Sequence, residues 1–110
     1  MSEAITEIII EEINLGDGEE CPAGATVNVH YRGTLMDGTE FDSSYGRGQP
    51  ITFPLGNLIQ GWQEGIPGMK VGGKRKLTIP YAKAYGENGS PPVIPGKADL
   101  VFEIELLGLG

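Results

Sequence analysis

Apolar and polar residues alternate along several short stretches of the chain, and this pattern predicts β-strands. The clearest stretch is TVNVHYRGTL, Thr26–Leu35, in which Val27, Val29 and Tyr31 fall on one face. His30 falls on the opposite face of the same strand. Further strands are predicted at Ile5–Ile13, Thr39–Ser44, Ile51–Phe53, Lys74–Pro80 and Ala98–Leu109.

A different spacing predicts a single short helix between the fourth and fifth strands. Leu58, Ile59, Trp62 and Ile66 recur at helical intervals, and Asn57 is the predicted N-cap. Gly and Pro residues follow and end the helix. Strands that pair antiparallel around one helix predict an α+β fold, in which a curved sheet covers the Trp62 helix.

Turn residues punctuate these elements and indicate one domain. Asp37-Gly38 predicts a hairpin turn between the second and third strands. Tyr81–Lys97 is longer than usual connections, which favours a functional loop, with one helical turn near Tyr81–Tyr85. We therefore expect a single domain over residues 1–110, with residues 1–7 as an N-terminal extension.

Composition narrows the classes of partner and compartment. The formal net charge of -7 argues against nucleic acid as the main partner, because phosphate binding depends on a basic surface. No apolar span approaches membrane length, and no signal peptide is visible, so neither a membrane partner nor secretion is expected. A lone cysteine, Cys21, fits a reducing cytoplasm. Nothing in the sequence demands more than a monomer.

The sequence lacks a complete motif for phosphate binding, metal binding or a Cys-His nucleophile. Gly68–Lys74 matches the first seven positions of a phosphate-binding loop, but Arg75 replaces the required Ser or Thr and a strand follows instead of a helix. One histidine, His30, and one cysteine, Cys21, cannot supply a metal cluster. By strand alternation His30 points away from the Tyr31 face, which disfavours a Cys-His pair. No metal or cofactor is expected.

A set of aromatic side chains is left, and it fits either a plain core or a pocket. Asp42 adjoins this set, and a buried carboxylate needs partners, for which the Tyr31 hydroxyl and Arg47 are candidates. Tyr85 lies in the long loop, where its hydroxyl could donate to a ligand carbonyl. The set comprises Tyr31, Phe41, Phe53, Trp62, Tyr85 and Phe102.

Four segments resemble the FK506-binding-protein (FKBP) family of peptidyl-prolyl cis-trans isomerases. They are VHYRGTLMDGTEFDSS, GWQEGIPGMKVGGKRKLTIP, AYG and PGKADLVFEIELL, and they cover roughly Ile8 to Leu107 in family order. The single-domain form resembles small bacterial members. The resemblance implies a strongly curved antiparallel sheet wrapped around one short helix, with a substrate pocket between them.

The resemblance also implies roles for individual residues. Asp42, Tyr85, Phe41 and Tyr31 would be catalytic, with Asp42 bonded to Tyr31 and near Arg47. Ile51 stands where animal members often have an aromatic residue, which would open one side of the site. The substrate-binding residues would be Arg47, Ile51, Phe53, Leu58, Ile59, Trp62, Val93, Ile94 and Phe102.

The implied activity is acceleration of rotation about X-Pro bonds in protein substrates, which aids folding. It needs no metal or nucleophile, only a site that favours the twisted amide. Proline-containing polypeptides would be the partners, with FK506 and rapamycin as possible ligands. The alternative is a non-catalytic module that docks proline segments or acts as a weak chaperone.

Overall fold

A computed structural model describes residues 7–89 and 94–109, apart from the side chain of Arg47. Two 3₁₀ turns, at Leu55–Asn57 and Tyr81–Lys83, supplement the regular elements. In chain order these elements are β1 (Ile9–Asn14), β2 (Thr26–Leu35), β3 (Glu40–Ser43), α1 (Ser44–Arg47), β4 (Ile51–Pro54), α2 (Gln60–Gly65), β5 (Lys74–Ile79) and β6 (Leu100–Leu109).

The six strands form one antiparallel sheet in the order β1-β5-β6-β2-β3, with β4 paired to β2 beside β3. Strand β2 is the centre of this arrangement because it pairs with three others. Its first half pairs with β4, its second half with β3, and its whole length with β6. The prediction of an α+β fold with a curved antiparallel sheet and a short helix is confirmed.

The core lies on the face of the sheet that packs against α2. Strand β6 alternates strictly, with Leu100, Phe102, Ile104 and Leu106 buried, as its sequence pattern predicts. Leu77 of β5 is also fully buried there. Helix α2 adds Trp62 to the same core, so one face of the sheet and one face of the helix enclose the apolar interior.

Helix α2 starts later than the sequence predicts. Asn57 was the expected N-cap, but it ends a 3₁₀ turn, and Ile59 takes the cap position without a side-chain hydrogen bond. The chain turns twice here, because Leu58 N–H donates to Leu55 O over 3.1 Å before the helix begins. The helical spacing of the apolar residues therefore spans two short elements.

The C-terminal end of α2 is held by one arginine. Arg75 of β5 donates from Nη1 to the carbonyls of Gly65 (2.9 Å) and Pro67 (3.2 Å), and from Nε to Glu12 of β1. A cation that binds terminal carbonyls satisfies acceptors that the helix leaves unpaired. Arg75 thus fixes the end of the helix relative to β5 and β1.

Several strand boundaries also differ from the sequence prediction: β3 is Glu40–Ser43 where Thr39–Ser44 was predicted, and β6 begins at Leu100 where Ala98 was predicted. Among the described residues the first strand begins at Ile9, which pairs with Thr78. Strand β5 ends at Ile79, one residue before the predicted end at Pro80, since proline cannot donate to the ladder. Residues 5 and 6 lie outside the described residues. Helix α1 was not predicted: the predicted third strand extends to Ser44, and a single capped turn such as SYGR leaves no periodic pattern. Among the described residues, no helix is long and apolar enough to cross a membrane.

Candidate functional site

A cavity of about 180 Å³ opens between α2 and the concave face of the sheet. Its lining comes from strands β2, β3, β4 and β6, the segment that leads into α2, α2 itself, and the loop after β5. The lining residues are Tyr31, Phe41, Asp42, Phe53, Leu58, Ile59, Trp62, Tyr85 and Phe102. All nine are among the residues predicted from the sequence, and the structure brings them together around one space.

Trp62 is the centre of the aromatic lining. Its ring meets those of Tyr31, Phe53 and Phe102 at centroid distances of 5.3, 5.8 and 5.2 Å, with interplanar angles of 79°, 88° and 84°. These edge-to-face contacts are the favoured geometry for aromatic pairs. Because Trp62 is only 4% exposed, three strands hold its ring in a fixed orientation at the base of the cavity.

Phe41 and Asp42 both line the cavity although they are consecutive in β3. Strand alternation would direct neighbours to opposite faces. The register with β2 shifts at this point, however, since Gly33 pairs with Asp42 and Thr34 pairs with Glu40, which leaves Phe41 as an extra residue. A β-bulge re-aims side chains in this way. It explains how an aromatic ring and a carboxylate stand side by side at one site.

The Asp42 carboxylate is anchored at both oxygens. The Tyr31 hydroxyl donates to Oδ2 over 2.5 Å, and the Ser43 backbone N–H donates to Oδ1 over 2.9 Å. Both bonds are partly buried, and hydrogen bonds to an ionised acceptor are stronger than neutral ones. The bond expected between Asp42 and Tyr31 is therefore present, and it connects β2 to β3 across the cavity wall.

A buried serine that the sequence reasoning missed supports this pair. Ser44 is fully buried, and its Oγ accepts the Tyr31 backbone N–H over 2.7 Å and contacts His30 Nδ1 over 2.8 Å. On the outer face, the His30 ring stacks on Tyr45 with 4.6 Å between centroids. The sequence offers little indication that Ser44 is buried, because only the position next to Ser43 at a helix start distinguishes it from a loop serine.

Tyr85 stands at the rim, where it is 40% exposed. Burial raises the pKa of its phenol, and the negative charge of Asp42 raises that pKa further. Tyr85 therefore stays protonated at neutral pH, and its hydroxyl can donate a hydrogen bond to a ligand in the cavity.

Comparison with known proteins identifies the family. A model described as FKBP-type peptidyl-prolyl cis-trans isomerase matches residues 18–107. The chain belongs to this family. An FK506-binding protein of Neisseria meningitidis serogroup B is 53% identical over 102 residues, which cover 91% of this chain and 94% of the relative.

Two other FKBP relatives agree with this assignment. The peptidyl-prolyl cis-trans isomerase FPR2 of Saccharomyces cerevisiae is 59% identical over 87 residues, covering 76% of this chain and 64% of that protein. The crystal structure of AtFKBP13 superposes with a TM-score of 0.86 at 39% identity, covering 94% and 93% of the two chains. The chain is thus an FKBP-type isomerase, and the family suggests binding of proline-containing substrates and FK506-type ligands.

Two predicted residues of this FKBP domain, Ile51 and Ile94, are not among the described residues that line the cavity. Ile51 of β4 pairs with Val29 and packs against the core. Ile94 is 5% exposed and belongs to the core. Val93 and the side chain of Arg47 lie outside the described residues. The substrate-binding role of these four residues stays a prediction.

The described part of the chain contains no group of three or more His, Cys, Asp or Glu residues placed to hold a metal ion. Cys21 is buried at 1% exposure, and burial raises the pKa of its thiol.

Proposed function

We propose that the cavity between α2 and the sheet is where this FKBP-type isomerase twists X-Pro bonds of polypeptide substrates. The observation that carries the proposal is a single anchored carboxylate in an otherwise apolar, largely aromatic cavity. Asp42 is held by Tyr31 and by the chain at Ser43, while the remaining lining consists of aromatic and aliphatic side chains and Tyr85. A site of few fixed polar groups in an apolar lining orients a ligand in one way.

The reaction needs rotation, and no bond to carbon is made or broken. Amide resonance gives the C–N bond partial double-bond character and a barrier of roughly 18–20 kcal/mol. In the twisted state this resonance is lost, so the carbonyl oxygen carries less negative charge than in either planar isomer. Water favours the more polar planar forms, whereas an apolar cavity does not. Preference for the twisted state lowers the barrier in both directions.

The apolar lining supplies this environment and holds the proline ring. The rings of Trp62 and Phe102 stand edge to face, 5.2 Å apart, and Phe41 meets Phe102 at 5.5 Å and 90°. Such a fixed arrangement costs little side-chain entropy on binding, because the rings are already ordered by each other. Ile59, the residue before α2, adds an aliphatic side chain to the lining.

The polar groups orient the substrate. Tyr85 donates to the carbonyl of the residue before proline or to its neighbour, since its hydroxyl remains protonated. Asp42 sets the local field and fixes the Tyr31 ring in the wall. No covalent intermediate is involved, so no one residue is expected to be indispensable.

The test is cis-trans exchange of an X-Pro peptide, measured by NMR with and without the protein. We expect acceleration by the wild type, inhibition by FK506, and weaker acceleration by Asp42→Asn, Phe41→Leu and Trp62→Leu. Asp37→Asn is the matched control for Asp42, because Asp37 carries an exposed carboxylate in the turn between β2 and β3. Each variant is first shown to be folded by its amide spectrum.

The results separate catalysis from mere docking. Full activity in folded Asp42, Phe41 and Trp62 variants would remove the cavity from the mechanism. Saturable peptide binding without acceleration by the wild type would leave a docking module in place of an enzyme.

We further propose that the protein acts as a monomer in a reducing compartment such as the cytoplasm, without nucleic-acid or membrane partners. The net charge of -7 and the buried thiol of Cys21 support this. Sedimentation of the purified protein and fractionation of the source cells would test it. A stable dimer would contradict the monomeric state, and recovery outside the cytoplasm would contradict the proposed location.

A further inference from the structure

A glycine of the central strand lies directly behind the aromatic wall of the cavity. Gly33 of β2 pairs with Phe102 of β6 on one side and with Asp42 of β3 on the other. It is buried, and it interrupts a strand in which the neighbouring inward residue, Tyr31, is large. A glycine inside a strand lowers strand stability and often marks a close approach by another group.

The close approach is made by two cavity rings. A Cβ atom at Gly33 would lie 2.7 Å from Phe41 Cζ, 2.9 Å from Phe41 Cε1 and 2.8 Å from Phe102 Cε1. Favourable contacts between carbon atoms lie at about 3.5–4.0 Å. Even a methyl group at this position would therefore displace at least one of the two rings.

The backbone does not explain this glycine. Gly33 is absent from the glycines with positive φ, in contrast to Gly38 in the adjacent turn. An alanine could thus adopt the same backbone conformation, so the packing of the rings is what excludes a side chain. A methyl group at Gly33 would push the rings away from β2, toward the cavity that both Phe41 and Phe102 line.

We propose that Gly33 sets the depth of the cavity and thereby the size of the imino-acid ring that the site accepts. Without a side chain at Gly33, Phe41 and Phe102 lie back against the strand and leave room for a six-membered ring as well as for proline. With a methyl group there, the wall advances and the larger ring is excluded first. This inference rests on the proposed function, since it concerns selectivity within the same cavity.

The experiment compares two peptides that differ by one methylene, one with proline and one with pipecolic acid, its six-membered homologue. Dissociation constants are measured by NMR titration for the wild type and for Gly33→Ala. One methylene in a tight apolar pocket is worth roughly 10- to 200-fold in discrimination. We expect Gly33→Ala to raise the dissociation constant of the pipecolic peptide by a factor at least about ten times larger than that for the proline peptide.

Two further variants separate ring displacement from general damage. Gly108→Ala also adds a methyl group to a strand glycine, but its nearest neighbour is Asn28 Cβ at 4.0 Å, so the affinities of both peptides should remain at wild-type values. Gly33→Ala combined with Phe41→Leu gives the methyl group room. Relative to Phe41→Leu alone, the added alanine should then change the ratio of the two affinities by less than it does in the wild type. This double variant also serves if Gly33→Ala alone does not fold.

The outcomes are distinct. Equal affinities of wild type and Gly33→Ala for both peptides would overturn the inference. So would an equal loss for both peptides, or a change of ratio that Phe41→Leu does not reduce, because each would indicate a merely structural role. Failure of the wild type to accelerate proline exchange would instead overturn the proposed function itself.

Discussion

Replacing Tyr31 by phenylalanine removes one hydroxyl group and should destabilise the protein more than the same change at Tyr45. Tyr31 is 5% exposed, and its hydroxyl donates to Asp42 Oδ2 over 2.5 Å. Tyr45 is 42% exposed, and its hydroxyl donates to Glu105 Oε1 over 3.1 Å. Both acceptors are carboxylates, so the two variants differ mainly in burial.

The magnitude follows from what each variant leaves behind. Hydrogen bonds to charged groups contribute about 1.5–3 kcal/mol when they are shielded from water. Without the Tyr31 hydroxyl, Asp42 keeps the Ser43 N–H bond at Oδ1 but loses the Tyr31 hydrogen bond to Oδ2, which is partly buried. We expect a loss of about 2 kcal/mol for Tyr31→Phe. At the exposed Tyr45, water replaces the lost partner, and we expect less than about 1 kcal/mol.

Equilibrium urea denaturation measures the difference, with Trp62 fluorescence and far-UV circular dichroism as two probes. The slope of the free energy with urea should be unchanged, because neither variant alters the area exposed on unfolding. Proline exchange measured on the same samples should fall for Tyr31→Phe and stay at the wild-type rate for Tyr45→Phe. Equal losses of stability in the two variants would refute the reasoning that burial strengthens the Tyr31–Asp42 bond.

Three other measurements test separate contacts. Ser44→Ala should cost about 1–3 kcal/mol in urea denaturation, because it leaves a buried backbone N–H without its acceptor; wild-type stability would contradict this. Asp42→Asn should lower the pKa of Tyr85, read from its ring carbon shift, yet leave it above the ordinary value because burial is the larger cause; an unchanged pKa would exclude the charge effect. The pKa of Tyr45 is raised from 10.0 to about 12 by burial and by Glu105. Stability from this group is present below pH 10 and is lost as the pH rises through about 12, so Tyr45→Phe should show a smaller decline over that interval, and an equal decline would refute it.

Strand content could be predicted from the sequence where one face is buried. Strands β2 and β6 match their alternating patterns, because each has a core face and an outer face. The start of α2 could not be predicted in the same way. The apolar residues keep their helical spacing from the 3₁₀ turn at Leu55–Asn57 into α2, so the spacing does not show where one helix ends and the other begins. Periodicity reports which residues face the core, and it does not report where hydrogen bonding changes from one helical type to another.

The candidate site was predicted by family resemblance more than by pattern. The bulge that directs Phe41 and Asp42 to one cavity depends on a register shift, which a single sequence does not reveal. Ile94 was carried over as a substrate contact; it is 5% exposed and packs in the core, and its contact with substrate stays a prediction. A stronger local signal than that of Ser44 was also overlooked: Gly33 is a glycine inside an otherwise regular strand, which indicates a close approach by another group.

The position of β6 between β5 and β2 has a consequence for how the chain reaches its fold. Val27 pairs with Leu109, and Leu35 pairs with Leu100, so the central ladder joins segments from near opposite ends of the described chain. Sheets dominated by such non-local pairs fold slowly, because loop closure precedes most of the stabilising contacts. Until β6 docks, β2 and β5 each expose an unpaired edge, which is a site for aggregation. A ribosome-bound chain that stops before Leu100 should therefore remain unfolded and protease-sensitive, and folding should follow synthesis.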